Sequence, residues 1–97
     1  MKYFVYILKC VNNIFYTGLT VNLRKRLYEN SHGLSTFTRS RLPVNLVYYE
    51  IANTRGEARR REVVIKDMSQ KRKIEMIDKF TSRLTGKFTS SVSEKRE

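Results

Sequence analysis

From Tyr3 to Cys10 the chain is β-branched and aromatic, with no alternation of polar and apolar positions. A run too short for a helix and apolar on both faces reads as a covered central strand over residues 3–10. Asn12 and Asn13 then mark a turn, because Asn tolerates positive φ. Residues 14–19 form a second strand ending in Tyr16-Thr17-Gly18, so the pair is expected to close as a hairpin. Helical spacing takes over after Thr20 and Asn22, either of which can cap a helix that runs to about Asn30 with Leu23 and Leu27 as its apolar ridge. His32-Gly33 ends it, and residues 34–41 are polar and basic without a period. Pro43 introduces a third strand over 44–50, in which Val44, Leu46 and Tyr48 fall on one face and Asn45, Val47 and Tyr49 on the other.

Gly56 is read as a break before a helix from about Glu57 to Met68. Ser69 can cap another from Gln70 to about Phe80, where Ile74, Ile77 and Phe80 recur at helical spacing. Beyond it, residues 81–97 are rich in Ser and Thr and hold only three spaced large apolar residues, Leu84, Phe88 and Val92, which predicts a disordered basic tail. The predicted fold is α+β, a three-stranded, mainly antiparallel sheet flanked by helices in the order ββαβαα, with one domain over residues 1–80 and the tail over 81–97.

Composition narrows the function. Ninety-seven residues allow one modest core. Twenty Lys and Arg against nine Asp and Glu leave a formal charge of +11, and self-repulsion of that size points to a polyanionic partner. No stretch approaches the roughly 18 consecutive apolar residues of a membrane span, and no signal peptide opens the chain, so a cytoplasmic protein is expected. One cysteine, Cys10, cannot form an internal disulfide, and one histidine, His32, leaves the sequence without a zinc cluster or a Ser-His-Asp or Cys-His arrangement. Cys10 is expected to pack as a small hydrophobe.

Two polar residues occupy positions that helical packing alone would make apolar. Leu23, Arg26, Leu27 and Asn30 follow the i, i+3, i+4, i+7 stripe, which turns Arg26 inward while Arg24 and Lys25 point away. The bland account is an arginine whose stem covers Leu23 and whose head reaches water. In the next helix Ala58, Glu62, Ile65 and Ser69 share a stripe, and Glu62 therefore needs a partner. Lys66, four residues on, is the ordinary one, worth roughly 0.2–0.5 kcal/mol. Tyrosines are the third signal, with Tyr6 and Tyr16 on adjacent strands.

Taken together, these positions resemble the GIY-YIG nuclease family. Phe4-Val5-Tyr6 corresponds to the first half-motif and Tyr16-Thr17-Gly18 to the second. The arginine of the family's first helix falls on Arg26 and its glutamate on Glu62, within Glu57-Ala58-Arg59-Arg60-Arg61-Glu62. The resemblance is to small single-domain bacterial members related to the incision domain of the UvrC excision-repair nuclease, and it covers about residues 2–78. It implies phosphodiester hydrolysis with one divalent ion, Mg²⁺ or Mn²⁺, held by Glu62, and DNA ahead of RNA as substrate, with no small-molecule cofactor. Arg26 would hold a phosphate oxygen, and Tyr6 and Tyr16 would position or deprotonate the attacking water. Gly18 would let backbone approach closely, while Arg39, Arg41, Arg59, Arg60 and Lys66 would contact phosphates outside the site. The sequence departs from the family pattern at Asn30, where many members have His or Tyr, and at Leu19, where some have Lys.

A geometric condition follows. A regular two-residue turn at Asn12-Asn13 would pair Tyr6 with Leu19 and put Tyr6 and Tyr16 on opposite faces. One shared site requires a bulge or an odd-length loop. A metal-dependent endonuclease, a nucleic-acid-binding module that cuts nothing and a protein-interaction domain whose charge serves solubility all stay open at this point.

Overall fold

The computed structural model describes residues 1–89, with side-chain surroundings as far as Leu84. The chain divides into two compact units, one ending at Asp67 and the other beginning at Met68. The first contains β1 (Tyr3–Lys9), a 3₁₀ turn (Val11–Asn13), β2 (Phe15–Thr20), α1 (Leu23–Ser31), β3 (Asn45–Ala52) and α2 (Arg55–Lys66). In the second lies α3 (Gln70–Thr89). The order ββαβαα and the antiparallel sheet, with strand sequence β2-β1-β3, agree with the expectation.

β1 is central, as its two-sided apolar sequence requires. Val5, Tyr6, Ile7 and Leu8 are all completely buried, each such side chain contributing about 1.5–3 kcal/mol. α2 lies against all three strands and buries Ala58 and Ile65. Leu23 and Leu27 of α1 line a cleft with Phe4, Tyr49 and Ile51 of the sheet. Cys10 is buried, and burial pushes its thiol pKa up.

The hairpin meets the geometric condition. Five residues separate Lys9 from Phe15, with Asn12 and Asn13 at φ 62° and 59° and the Cys10 amide donating to the Ile14 carbonyl at 2.7 Å. The pairing becomes Tyr6 with Gly18 and Leu8 with Tyr16. Tyr6 and Tyr16 therefore share a face.

Three expectations are corrected. The β1–β3 register shifts between Ile7 and Leu8, which oppose Tyr48 and Leu46 and leave Val47 as an extra residue. Leu46 and Tyr48 consequently lie on opposite faces, where strict alternation had placed them together. Gly56 does not break the chain: Thr54 caps α2 by accepting from the Glu57 amide at 3.1 Å, and Gly56 sits in the first turn. Ser69 does cap α3, accepting from the Arg72 amide at 3.1 Å, but that helix passes Phe80 and continues through Thr89. Phe80, Leu84 and Phe88 continue the four-residue apolar spacing with no proline to stop it. Of the segment expected as a tail, residues 81–89 are helical, and 90–97 lie outside the described residues.

Candidate active site

β2 is an edge strand, and its Gly18 stands opposite Tyr6. The tyrosine ring fills the space that glycine leaves: a Cβ there would fall 2.4 Å from the Tyr6 hydroxyl oxygen. This is the use the structure makes of Gly18. The Tyr6 and Tyr16 rings are 6.4 Å apart, tilted by 52°. From α1, whose Asn22 cap accepts from the Lys25 amide at 3.0 Å, Arg26 reaches inward. Its Nη1 donates to the Tyr6 hydroxyl oxygen over a long 3.5 Å, and its Nε pairs with Glu29 at 3.3 Å. The Arg26 side chain is 39% exposed and also touches the buried phenol.

Burial pushes the Tyr6 pKa above the ordinary phenol value, and Tyr16 adds to it; the Arg26 hydrogen bond and charge offset only part of this. The hydroxyl keeps its proton at neutral pH, with Arg26 donating to its oxygen and the O–H left to act as donor.

Arg26 and Glu62 line one cleft of about 370 Å³ with Leu19, Thr20, Val21, Arg55 and Arg59. Glu62 is buried in the middle of α2. Its Oε1 is 3.6 Å from Arg59 Nη1, and its Oε2 is 3.3 Å from Lys66 Nζ. The ordinary lysine partner is present, and an arginine accompanies it. Leu19, at the departure from the family pattern, forms part of the cleft wall.

Of the residues expected to serve phosphates, Arg59 and Lys66 adjoin the carboxylate. Arg60 lies over Gly56, while Arg39 is exposed in the turns before β3. Arg41 is committed elsewhere. Its guanidinium sits 4.1 Å over the Phe37 ring and donates to the Phe37 carbonyl at 2.5 Å, and Phe37 stacks on Tyr16 at 4.7 Å.

Asn30 is held by the same segment. It is 1% exposed. Its Nδ2 donates to the Arg26 carbonyl at 2.8 Å and its Oδ1 accepts from the fully buried Thr38 hydroxyl at 2.9 Å. An amide that both donates and accepts suits this position, and it ties residues 34–41 to α1. His32 is exposed and stacked on Tyr28, with ring centroids 3.9 Å apart, away from the cleft lining. Sequence reasoning missed Phe37, Thr38 and Arg55. The first two lie in a segment without periodicity, and Arg55 had no signal beyond its charge.

Among the described residues no group of three or more His, Cys, Asp or Glu side chains could hold a metal, and no helix is long and apolar enough to cross a membrane. One buried carboxylate on a cleft wall still fits a hard cation that keeps several of its waters.

A three-stranded antiparallel sheet with two tyrosines on one face of its edge hairpin, and helices carrying an arginine and a glutamate that line one cleft, is the arrangement on which the resemblance to a nuclease domain rested. The chain matches the GIY-YIG catalytic domain over residues 2–75 and belongs to that family. Its relatives are small bacterial proteins. It is 42% identical over 78 residues to the UPF0213 protein SH2523 of Staphylococcus haemolyticus, covering 79% of this chain and 95% of that one. It is 40% identical over 85 residues to a UPF0213 protein of Syntrophus aciditrophicus, covering 86% and 98%. Among solved structures, the protein EF2693 of E. faecalis superposes with a TM-score of 0.59 at 30% identity, over 84% of this chain and 88% of that one. The UPF0213 protein BH0048 of Bacillus halodurans gives 0.54 at 32%, over 80% and 84%.

Proposed function

We propose that this protein is a metal-dependent endonuclease that hydrolyses phosphodiester bonds in DNA, in the cytoplasm and in repair or recombination, with Tyr6, Tyr16, Arg26 and Glu62 as its site. The observation that carries this reading is the contact of Arg26 with a buried, protonated Tyr6 hydroxyl beside a cleft that Arg26 shares with Glu62. Arg26 binds a non-bridging phosphate oxygen with the guanidinium edge left free by Glu29 and Tyr6. Tyr6 donates its O–H to the attacking water and orients it; its raised pKa disfavours a role as the base, so the water's proton passes to solvent as its oxygen bonds to phosphorus, and the leaving oxygen takes a proton from solvent as its own bond to phosphorus breaks. Tyr16, braced by Phe37, bounds the water on its other side. Glu62 would hold a single Mg²⁺ or Mn²⁺, which when bound would supply charge stabilisation at the phosphate and the leaving oxygen. Gly18 serves by admitting the Tyr6 ring; Arg39 and Arg60 contact phosphates further along the strand.

Asn30 favours a second reading. It is buried with both ends of its amide engaged, and no cleft-lining side chain has an unperturbed pKa near 7, so the scaffold would suit a nucleic-acid-binding module that does not cut. Mg²⁺-dependent cleavage of nicked, branched or single-stranded DNA decides between the two. The endonuclease reading expects cleavage by the wild type, loss of at least about 100-fold in Glu62→Ala, as for removal of a central electrostatic group, and retained DNA binding. Binding without cleavage in every substrate would leave the module.

A further inference from the structure

Glu62 poses an electrostatic question that the proposed reaction leaves open. Its side chain is 10% exposed, and a buried carboxylate must be compensated. Without a metal the compensation is two monovalent cations, Arg59 on Oε1 at 3.6 Å and Lys66 on Oε2 at 3.3 Å. These side chains are 73% and 53% exposed. The cationic ends lie largely in solvent, where screening weakens their hold, and both side chains can swing into solvent without opening the fold. Their summed charge equals that of one divalent ion.

We propose that Arg59 and Lys66 are exchangeable counterions: a divalent cation at Glu62 displaces them, and they then bind nucleic-acid phosphates flanking the cleft. The exchange leaves the charge around Glu62 unchanged and transfers two cations from the protein's own carboxylate to the substrate. Metal and nucleic acid therefore strengthen each other's binding, as linkage requires. The empty site is also kept from holding DNA as firmly as the loaded one. This inference rests on the reading of the cleft as a metal and phosphate site, and adds how its two ligands are coupled.

Glu62→Gln imitates the loaded site by removing the carboxylate charge, so the test runs without metal. Binding of a short fluorescein-labelled DNA duplex is followed by anisotropy in EDTA over a series of NaCl concentrations. Four proteins are compared: wild type, Glu62→Gln, Arg59→Gln/Lys66→Gln and the triple variant. The proposal expects Glu62→Gln to bind more tightly than wild type and to steepen the slope of log K against log [NaCl] by up to about 1.8, two phosphates at roughly 0.9 each. In the Arg59→Gln/Lys66→Gln background it should change neither. An equal gain in both backgrounds would mean that only a repulsive charge had been lost, and would overturn the exchange. So would no gain in either. Absence of duplex binding in all four would instead remove the nucleic-acid reading, and the exchange with it. A second measurement is independent of the variants' folding. Addition of Mg²⁺ alone to the wild type should shift the Lys66 side-chain NMR signals toward those of a free lysine; unmoved Lys66 signals while the Glu62 amide shifts would also sink the proposal.

Discussion

A Cβ added at Gly18 would lie 2.4 Å from the Tyr6 hydroxyl oxygen and 2.6 Å from its ring, and both strands that carry the two residues are fixed by the hairpin pairing. Gly18→Ala should therefore cost about 1–3 kcal/mol, the usual penalty of overpacking, and should also push the Tyr6 hydroxyl away from Arg26. Thermal denaturation and a cleavage assay on the same preparation check this: cleavage should fall well below the folded fraction. Arg26 and Glu62 stood out in the sequence as polar groups placed where helical periodicity calls for apolar ones, whereas strand periodicity alone did not mark Tyr6 and Tyr16, which became candidates only through the resemblance. Asn30 was legible as inward-facing and illegible in its role. Its partner Thr38 lies eight residues on in a segment with no pattern, and only tertiary structure brings the two together. Phe37 escaped for the same reason.

Between elements, α2 is fastened to β3 by a network the sequence did not announce. Arg61 forks onto Glu50 at 2.6 and 3.0 Å, and the Tyr48 hydroxyl donates to the same carboxylate at 2.5 Å. Within Arg59-Arg60-Arg61 nothing local marks the last residue, because its partner is eleven positions away. Burial pushes the Glu50 pKa upward, but the Arg61 fork and the Tyr48 hydroxyl more than offset it, and the net shift is down from the ordinary 4.5. Glu50 thus contributes stability in full above pH 4.5, and loses it as pH falls through the lowered folded value. Tyr48, pushed up to about 12 by burial and by Glu50, is the opposite case: its contribution is complete below pH 10 and declines between 10 and about 12. Glu50→Gln should cost about 1–2 kcal/mol at pH 7, held low because the Arg61 side chain is 41% exposed. Its unfolding free energy should approach that of the wild type as pH drops below 4.5. Urea titrations across pH 3–7 measure both quantities. Strand and helix identities were otherwise readable from local patterning; the continuation of α3 past Phe80 was missed because a Ser/Thr-rich composition outweighed an apolar spacing that continued beneath it.

Over the whole molecule, the charge of +11 divides by what each cation already holds. Arg61 is bound to Glu50, Arg41 to Phe37, and Arg59 and Lys66 to Glu62, whereas Arg39 and Arg60 are exposed and, among the described residues, pair with no carboxylate or ring. In metal-free buffer, Arg39→Gln and Arg60→Gln should each lower the salt slope of DNA binding by about 0.9, and Arg41→Gln by less; anisotropy titrations over NaCl resolve differences of that size. The affinity so measured would carry little sequence preference, since phosphate contacts position a protein without reading bases. The five-residue connection between Lys9 and Phe15 constrains the molecule in another way. Insertion or deletion of one residue there would leave the strands able to pair but turn Tyr16 to the far side of the sheet from Tyr6, while a change of two would restore it. The loop is solvent-facing at Asn12 and Asn13 and looks free to vary in length, yet keeping Tyr6 and Tyr16 on one face allows that length to change only in pairs.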